Sequence, residues 1–330
     1  MQKNNDVLGL GNAIMDFLVE VEDSILAELN LKKGEMTLVE EEKAQEIFSL
    51  FNKKNLKVEQ APGGSCANAI RGIAFLGGKS ILSAKVGNDA HGQCYIDEIQ
   101  KSGVVSKIGK HSKKKTGQAL AFITPDAQRT FSVHLGAAIE FYKDDFLEED
   151  IQQSKVLHLE GYQLEGVAAE AVLQAMELAR KHGTKVSLDL ADPGIVRRNK
   201  QFLQRVVQDY VDILFANEEE VREFTTEGDA LQELEKYGTL CVVKLGVKGS
   251  IILQEGKRTT IPSFPAKAID TTGAGDSYAA GFLYGYCHDW SMEEAGKLGS
   301  LFASKMVEQK GVRMEGLDAK EMKGRVKNER

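Results

Sequence analysis

Apolar positions recur along this chain with two periods. Short continuous runs such as Val7-Leu8-Gly9-Leu10, Ile81-Leu82-Ser83-Ala84-Lys85-Val86 and stretches 156–159, 185–190, 212–216 and 240–245 read as buried strands. Between them, apolar residues repeat at helical spacing over 40–51, 91–102, 167–182, 195–208, 218–224, 274–287 and 292–309. A further helix opens at Pro62-Gly63-Gly64-Ser65 and runs to about Leu76. This β–α alternation predicts a mostly parallel sheet covered by helices on both faces. In sheets of that class, ligands gather outside the carboxyl ends of the strands.

Extended pieces at 17–21, 36–39 and 118–135 fall outside the alternation. They predict a small second sheet, a candidate lid made of about 14–40 and 114–138 on a single domain spanning 1–330. Two hairpins are expected, one turning at Pro125-Asp126-Ala127-Gln128 and one at Glu255-Gly256.

Two glycine patterns invite a nucleotide-binding reading and fail it. Gly9-x-Gly11 has Ile14 where a dinucleotide fingerprint needs its third glycine, and a strand pattern follows instead of a helix. Gly77-Gly78-Lys79-Ser80 resembles the end of a P-loop, but Ile73 stands where the first glycine belongs and a strand follows.

Composition narrows the class. Hydrophobic residues make up 42% and charged residues 28%, enough for a real core. The formal net charge of -7 argues against general nucleic-acid binding. Lys113-Lys114-Lys115 reads as a solvated loop and the basic stretch 320–330 as a frayed terminus. Cys66, Cys94, Cys241 and Cys287 are too widely spaced for a zinc or disulfide framework. No signal peptide or membrane span is read, so a cytoplasmic location without membrane partners is the default expectation.

The chemistry concentrates at Asp270-Thr271-Thr272-Gly273-Ala274-Gly275-Asp276. Gly273 and Gly275 permit a sharp corner, and the amides of Ala274, Gly275 and Asp276 become the free donors of a helix N-terminus, which attracts anions. Asp276 places a carboxylate in the same turn, able to take a hydroxyl proton. In its plainest reading, a Gly-x-Gly-Asp before a helix is a turn and cap, so the partners of this string decide. Pro62-Gly63-Gly64-Ser65-x-x-Asn68 offers bare backbone to a polar ligand, with Asn68 as both donor and acceptor. Asp16, in Gly11-Asn12-x-x-x-Asp16, interrupts an apolar run and can accept two hydroxyl hydrogen bonds.

Together, these strings resemble the two signatures of the PfkB, or ribokinase-like, carbohydrate and nucleoside kinases, in order from Gly9 to about Gly311. The resemblance implies a ribokinase-like α/β fold with a β-sheet lid. It implies ATP and Mg²⁺ as cofactors, a small-molecule substrate, and transfer of a phosphoryl group to a primary hydroxyl. Asp276 is then the base, and Gly273, Ala274 and Gly275 form an anion hole. Asn12, Asp16, Gly63, Gly64 and Asn68 grip the substrate. Asn217-x-x-Glu220 orients Mg²⁺ through water, while Glu218 and Glu219 between them read more plainly as the acidic first turn of a helix. The loop Lys244-Leu245-Gly246-Val247-Lys248-Gly249, with Thr272, borders the nucleotide. Arg129 matches the lid arginine that adenosine-kinase-like members hold near the transferring phosphate. Asp270, Thr272 and Gly311 match a segment that holds a monovalent cation, K⁺, in many relatives. Asp16, Arg129 and the two-part lid lean the substrate towards an adenosine-like nucleoside, with a ribose- or fructose-type sugar as the alternative. A non-catalytic nucleoside or nucleotide sensor is the alternative of another class. Monomer and lid-paired homodimer both stay open.

Overall fold

In this computed structural model, residues 3–126, 128–226 and 228–328 are described. The predicted hairpin residue Ala127 and the final residues 329–330 of the basic stretch lie outside them.

Nine strands form the main sheet. From one edge they run Lys257–Ile261, Ser250–Gln254, Leu240–Lys244, Ile213–Asn217, Lys185–Asp189, Ser154–Glu160, Asn5–Leu10, Ser80–Gly87 and Val105–His111. All neighbours pair in parallel except the first three strands of that order, which pair antiparallel. The mostly parallel sheet is therefore as expected. Alternate residues of the inner strands feed two separate cores. Val7, Leu82, Val156 and Phe215 face the helices Ser65–Phe75, Ala274–Cys287 and Met292–Met306. Leu8, Ile81, Leu157 and Leu214 face Ala168–Lys181 and Pro193–Tyr210. Burial on both faces is why these strands read as unbroken apolar runs.

The Gly9-x-Gly11 pattern has a packing cause. A Cβ on Gly9 would lie 2.5 Å from Ile70, and one on Gly11 2.6 Å from the Cys66 Cβ. The two glycines let the Ser65–Phe75 helix lie against the first strand. Small residues act alike between helices: a Cβ on Gly72 would meet Ala280 at 2.6 Å, and one on Gly281 the Gly299 backbone at 2.7 Å.

A second sheet has the order Met36–Leu38, Arg129–His134, Gly117–Ile123, Ile14–Glu20, Val58–Gly63. Three of the expected extended pieces meet there, and Val58–Gly63 joins them unforeseen. One face, carrying Met15, Phe17, Val19, Leu120 and Phe122, is buried against Ile47 and Phe51 of the Glu41–Lys53 helix. Strand pairing places Asp16, Leu18, Ala119, Ala121, Phe131 and Met36 together on the opposite face.

The basic stretch expected to fray is instead a helix, Ala319–Asn328, with Met322 and Val326 buried at an i, i+4 spacing. Lys323 Nζ donates to the Leu76 carbonyl at 2.6 Å and to the Tyr284 hydroxyl at 3.2 Å. The former is the capping residue of the Ser65–Phe75 helix, and the latter lies on Ala274–Cys287.

Candidate active site

The last residues of four parallel strands converge at one edge of the sheet. They are Glu160, Asp189, Asn217 and Lys244. Two helix N-termini meet them there.

The first opens after the Pro62-Gly63-Gly64 bend. The Pro62 carbonyl accepts from Arg71 Nη1 at 3.1 Å and the Gly63 carbonyl from the Tyr95 hydroxyl at 2.9 Å. A Cβ on Gly63 would sit 2.2 Å from Asp16 Oδ2, and one on Gly64, at φ +91°, 2.1 Å from the Asn12 carbonyl. Both glycines are thus required by contact, because Asp16 and Asn12 lie directly on the bend.

The second opens at Gly273, which has φ +72° and precedes the Ala274–Cys287 helix. Its missing side chain leaves room for Val312, which a Cβ would approach to 2.3 Å. The Ala274 amide donates to the Thr271 carbonyl at 3.2 Å, so this one of the three expected anion donors is partly engaged. The amides of Gly275 and Asp276 are first-turn donors without an intrahelical acceptor. Lys244 Nζ lies 3.2 Å from where a Gly275 Cβ would be, adding a full positive charge at the corner.

The two termini join directly: Asn68 Nδ2 donates to Asp276 Oδ2 at 2.9 Å. Asn68 is buried, and its Oδ1 accepts no hydrogen bond from any described residue. An unpaired buried acceptor beside a carboxylate suits a ligand that brings its own donor, such as a hydroxyl.

Acid crowds this edge. Burial, with like charge from Asp189, pushes the Asp276 carboxyl up to about 6 against the pull of Asn68 and Lys244. Burial and the nearby Asp276 push Asp16 up to about 7, opposed by Arg71 and Arg129. Burial and Asp189 push Glu220 up to about 7. Glu160, 3% exposed, is raised by burial first and by Asp276 and Asp189 next. Among Glu160, Asp189, Glu220 and Asp276 stands Lys244, bound to Asp189 at 2.6 Å.

Asn217 and Glu220 meet in the capping box of the Glu218–Phe224 helix. Asn217 Oδ1 accepts the amides of Glu219 and Glu220, both at 2.9 Å, and its Nδ2 and backbone N–H donate to the two Glu220 oxygens at 2.6 and 2.8 Å. Gly246 and Gly249 frame the turn after Lys244, with φ of +59° and +92°. A Cβ on Gly249 would strike the Ile261 carbonyl at 2.0 Å, while one on exposed Gly246 would meet nothing.

Arg129 reaches from the second sheet to the corner loop. Its guanidinium pairs with Asp270 Oδ2 at 2.5 Å and donates to Thr272 Oγ1 at 2.6 Å. Asp270 also accepts the Thr272 amide at 2.9 Å and the Gly311 amide at 2.6 Å. Burial alone would raise this carboxyl, yet the Gly311 and Thr272 donors and Arg129 together hold it below its usual value. Asp270, Thr272 and Gly311 are thus assembled, with the arginine among them.

Sequence reasoning missed Glu160, Asp189, Arg71 and Tyr95. A lone acid at the end of a strand carries no local signal. The position itself, at the carboxyl edge of a parallel sheet, was the available cue.

A family profile described as "pfkB family carbohydrate kinase" matches residues 28–319. The solved structure of adenosine kinase from Sinorhizobium meliloti is 32% identical, covers 98% of each chain and superposes with a TM-score of 0.86. Adenosine kinase from Saccharomyces cerevisiae is 26% identical over 92% of this chain and 94% of its own. A 5-dehydro-2-deoxygluconokinase from Clostridium perfringens is 31% identical over 74% of this chain and 78% of its own.

Proposed function

The chain belongs to the pfkB family of carbohydrate kinases, and from that premise we propose that it phosphorylates a primary hydroxyl of an adenosine-like nucleoside at the expense of ATP. The observation that carries the reading is the Asn68–Asp276 hydrogen bond, which brings the Gly-rich bend and the glycine corner to one point.

In this reading, Asp276 takes the proton of the attacking hydroxyl as the new O–P bond forms. The bond between the γ-phosphorus and the bridging oxygen breaks, and ADP leaves. The amides of Gly275 and Asp276, with Lys244 beside them, hold the charge of the transferring phosphoryl group. Asn68 Oδ1 and the Asp16 carboxylate accept substrate hydroxyls, and Gly63 and Gly64 let Asp16 and Asn12 lie on the bend beside them. Residues 14–40 and 114–138, now with Val58–Gly63, act as a lid on the single domain 1–330 and exclude water. The turn with Gly246 and Gly249 borders the nucleotide.

Asp189 repels both Glu220 and Asp276 and is itself paired with Lys244. Among the described residues no three acids are grouped to hold a metal directly, so Mg²⁺ would be held mainly by water and the substrate's phosphates. Mg²⁺ bound at this edge would supply positive charge for the phosphates. Glu220, both of whose oxygens already accept from Asn217, would reach it through water rather than directly.

The nucleoside preference rests on the apolar sheet face beside Asp16. Leu18, Phe131 and Met36 line it, the first two partly exposed and Met36 57% exposed, while Ala121 between them is buried. A nucleobase would cover this surface, whereas a free sugar would leave it wet. The Sinorhizobium adenosine kinase likeness supports the same choice. The Clostridium sugar-acid kinase supports the alternative, a sugar substrate with the same chemistry.

ADP release should be measured over a panel of nucleosides and free sugars. Turnover of adenosine or a close analogue at least about tenfold above every sugar is expected. Preference for a sugar transfers the mechanism to that substrate, and ligand binding without ADP release from any compound would point to a sensor.

A further inference from the structure

Asp270 is the acid immediately upstream of the glycine corner, and both of its carboxylate oxygens are engaged. Oδ1 takes the Thr272 amide, and Oδ2 takes the Gly311 amide and the Arg129 guanidinium. Arg129 also occupies the Thr272 hydroxyl. Three neighbouring carbonyls already accept backbone hydrogen bonds. Val307 O accepts the Ile269 amide at 2.7 Å and the Asp270 amide at 3.2 Å, Gly311 O accepts from Arg313 at 3.2 Å, and Thr271 O from Ala274 at 3.2 Å. A second positive charge, Lys310, stands close by, paired with Glu20 at 2.9 Å.

This donor set does not fit K⁺. A monovalent metal needs several oxygens with free lone pairs around one point, and here the carboxylate's cation is already present on a side chain. The guanidinium fork also supplies what a metal at this position would supply: positive charge on Asp270 and a fixed distance between Asp270 and Thr272. The order of the loop transmits this. Thr272 precedes Gly273, so whatever fixes Asp270 and Thr272 fixes where the first-turn amides of the helix point.

We propose that Arg129 is the built-in cation of the Asp270 carboxylate. It is a positioning residue for the 273–276 corner, and it frees turnover from any monovalent metal. The inference rests on the kinase reading for its activity arm alone.

The test compares full-length native protein, Arg129→Met and Arg129→Lys in K⁺ chloride and in tetramethylammonium chloride at one ionic strength. ADP is quantified by chromatography, because coupling enzymes can themselves require K⁺. Melting temperature is read in parallel without substrate. For the native protein, kcat should agree within about twofold between the salts, and Tm should not respond to K⁺. Arg129→Met should lose at least about tenfold in kcat in tetramethylammonium and regain several-fold of it, saturably, on adding K⁺. Its Tm should rise with K⁺, since the metal then binds the folded state alone. Arg129→Lys, which restores the charge without the fork, should fall between the native protein and Arg129→Met in kcat without K⁺ and gain less from K⁺ than Arg129→Met. A lysine variant no better than Arg129→Met would overturn the role of the charge.

A native enzyme that loses more than about threefold without K⁺, or a native Tm that rises with K⁺, overturns the proposal. So does an Arg129→Met variant whose kcat and Tm ignore K⁺, since that is the behaviour of a plain strut. If no ADP forms with any substrate, the kinase reading fails while the melting comparison still decides the cation.

Discussion

The Asn68 side-chain amide donates to the Asp276 carboxylate at 2.9 Å, across 208 positions of sequence. Ser65 also hydrogen-bonds the same carboxylate, so the first turn of the Ser65–Phe75 helix holds the base from two side chains. These bonds lower the acidity range that burial raises, so Asp276 is a base of intermediate strength rather than a permanently neutral acid.

Asp276→Asn keeps the Asn68 contact through its amide oxygen and removes the base. Turnover should fall by about 10²–10⁴-fold, the usual span for a positioned general base. A variant within about tenfold of native on the best substrate of the panel would remove Asp276 from this role.

The same substitution should stabilise the fold. Asp276, Asp16 and Glu220 have folded-state values above their ordinary ones. Between the ordinary carboxylate range and about 6–7, the folded protein therefore holds more protons than the unfolded chain, and stability declines as pH rises through that window. Above it, Asp276→Asn removes a carboxylate whose ionisation opposes folding, so Tm at pH about 7.5 should rise by about 2–4 °C. A lower Tm there would mean that the charged carboxylate is held by more than it repels.

Acid should inactivate the enzyme in the same region. The base and its neighbour Asp16 must be ionised, and both are raised, to about 6 and about 7. For substrate-free enzyme, the acid limb of kcat/KM should fall in that interval. A limb near the ordinary carboxylate value would show that neither group titrates on the way to turnover.

Gly63 faces Asp16 so closely that a methyl would land 2.2 Å from its carboxylate. Gly63→Ala should displace Asp16 and raise the KM for the phosphoryl acceptor at least about tenfold, with the KM for ATP changing far less. Equal changes in both would place Gly63 in the fold rather than in the acceptor site.

Much of this site was readable because its parts are short strings with local physical causes. Gly273-Ala274-Gly275-Asp276 announces a corner and an acid through glycine spacing alone. The second sheet was readable in its alternating strands but not in Val58–Gly63, where Pro62 and an exposed Glu59-Gln60 pair mask the pattern. Val105–His111, an edge strand with two lysines, hid for the same reason. The Ala319–Asn328 helix shows two apolar anchors among charges, and only its docking partners make them a stripe. Arg129 was legible as a candidate, but its partner was not. A side chain in a hairpin carries no trace of a carboxylate 141 positions away.

Lys323 reaches both helices whose first turns build the site, the Leu76 carbonyl at the far end of one and the Tyr284 ring and hydroxyl of the other, the ring at 5.0 Å. The reactive corner is therefore braced from behind. Clipping or reshaping the 319–328 segment would slacken the angle between the two helical rods, and the damage would surface at the opposite end of each, where proton and phosphate are handled.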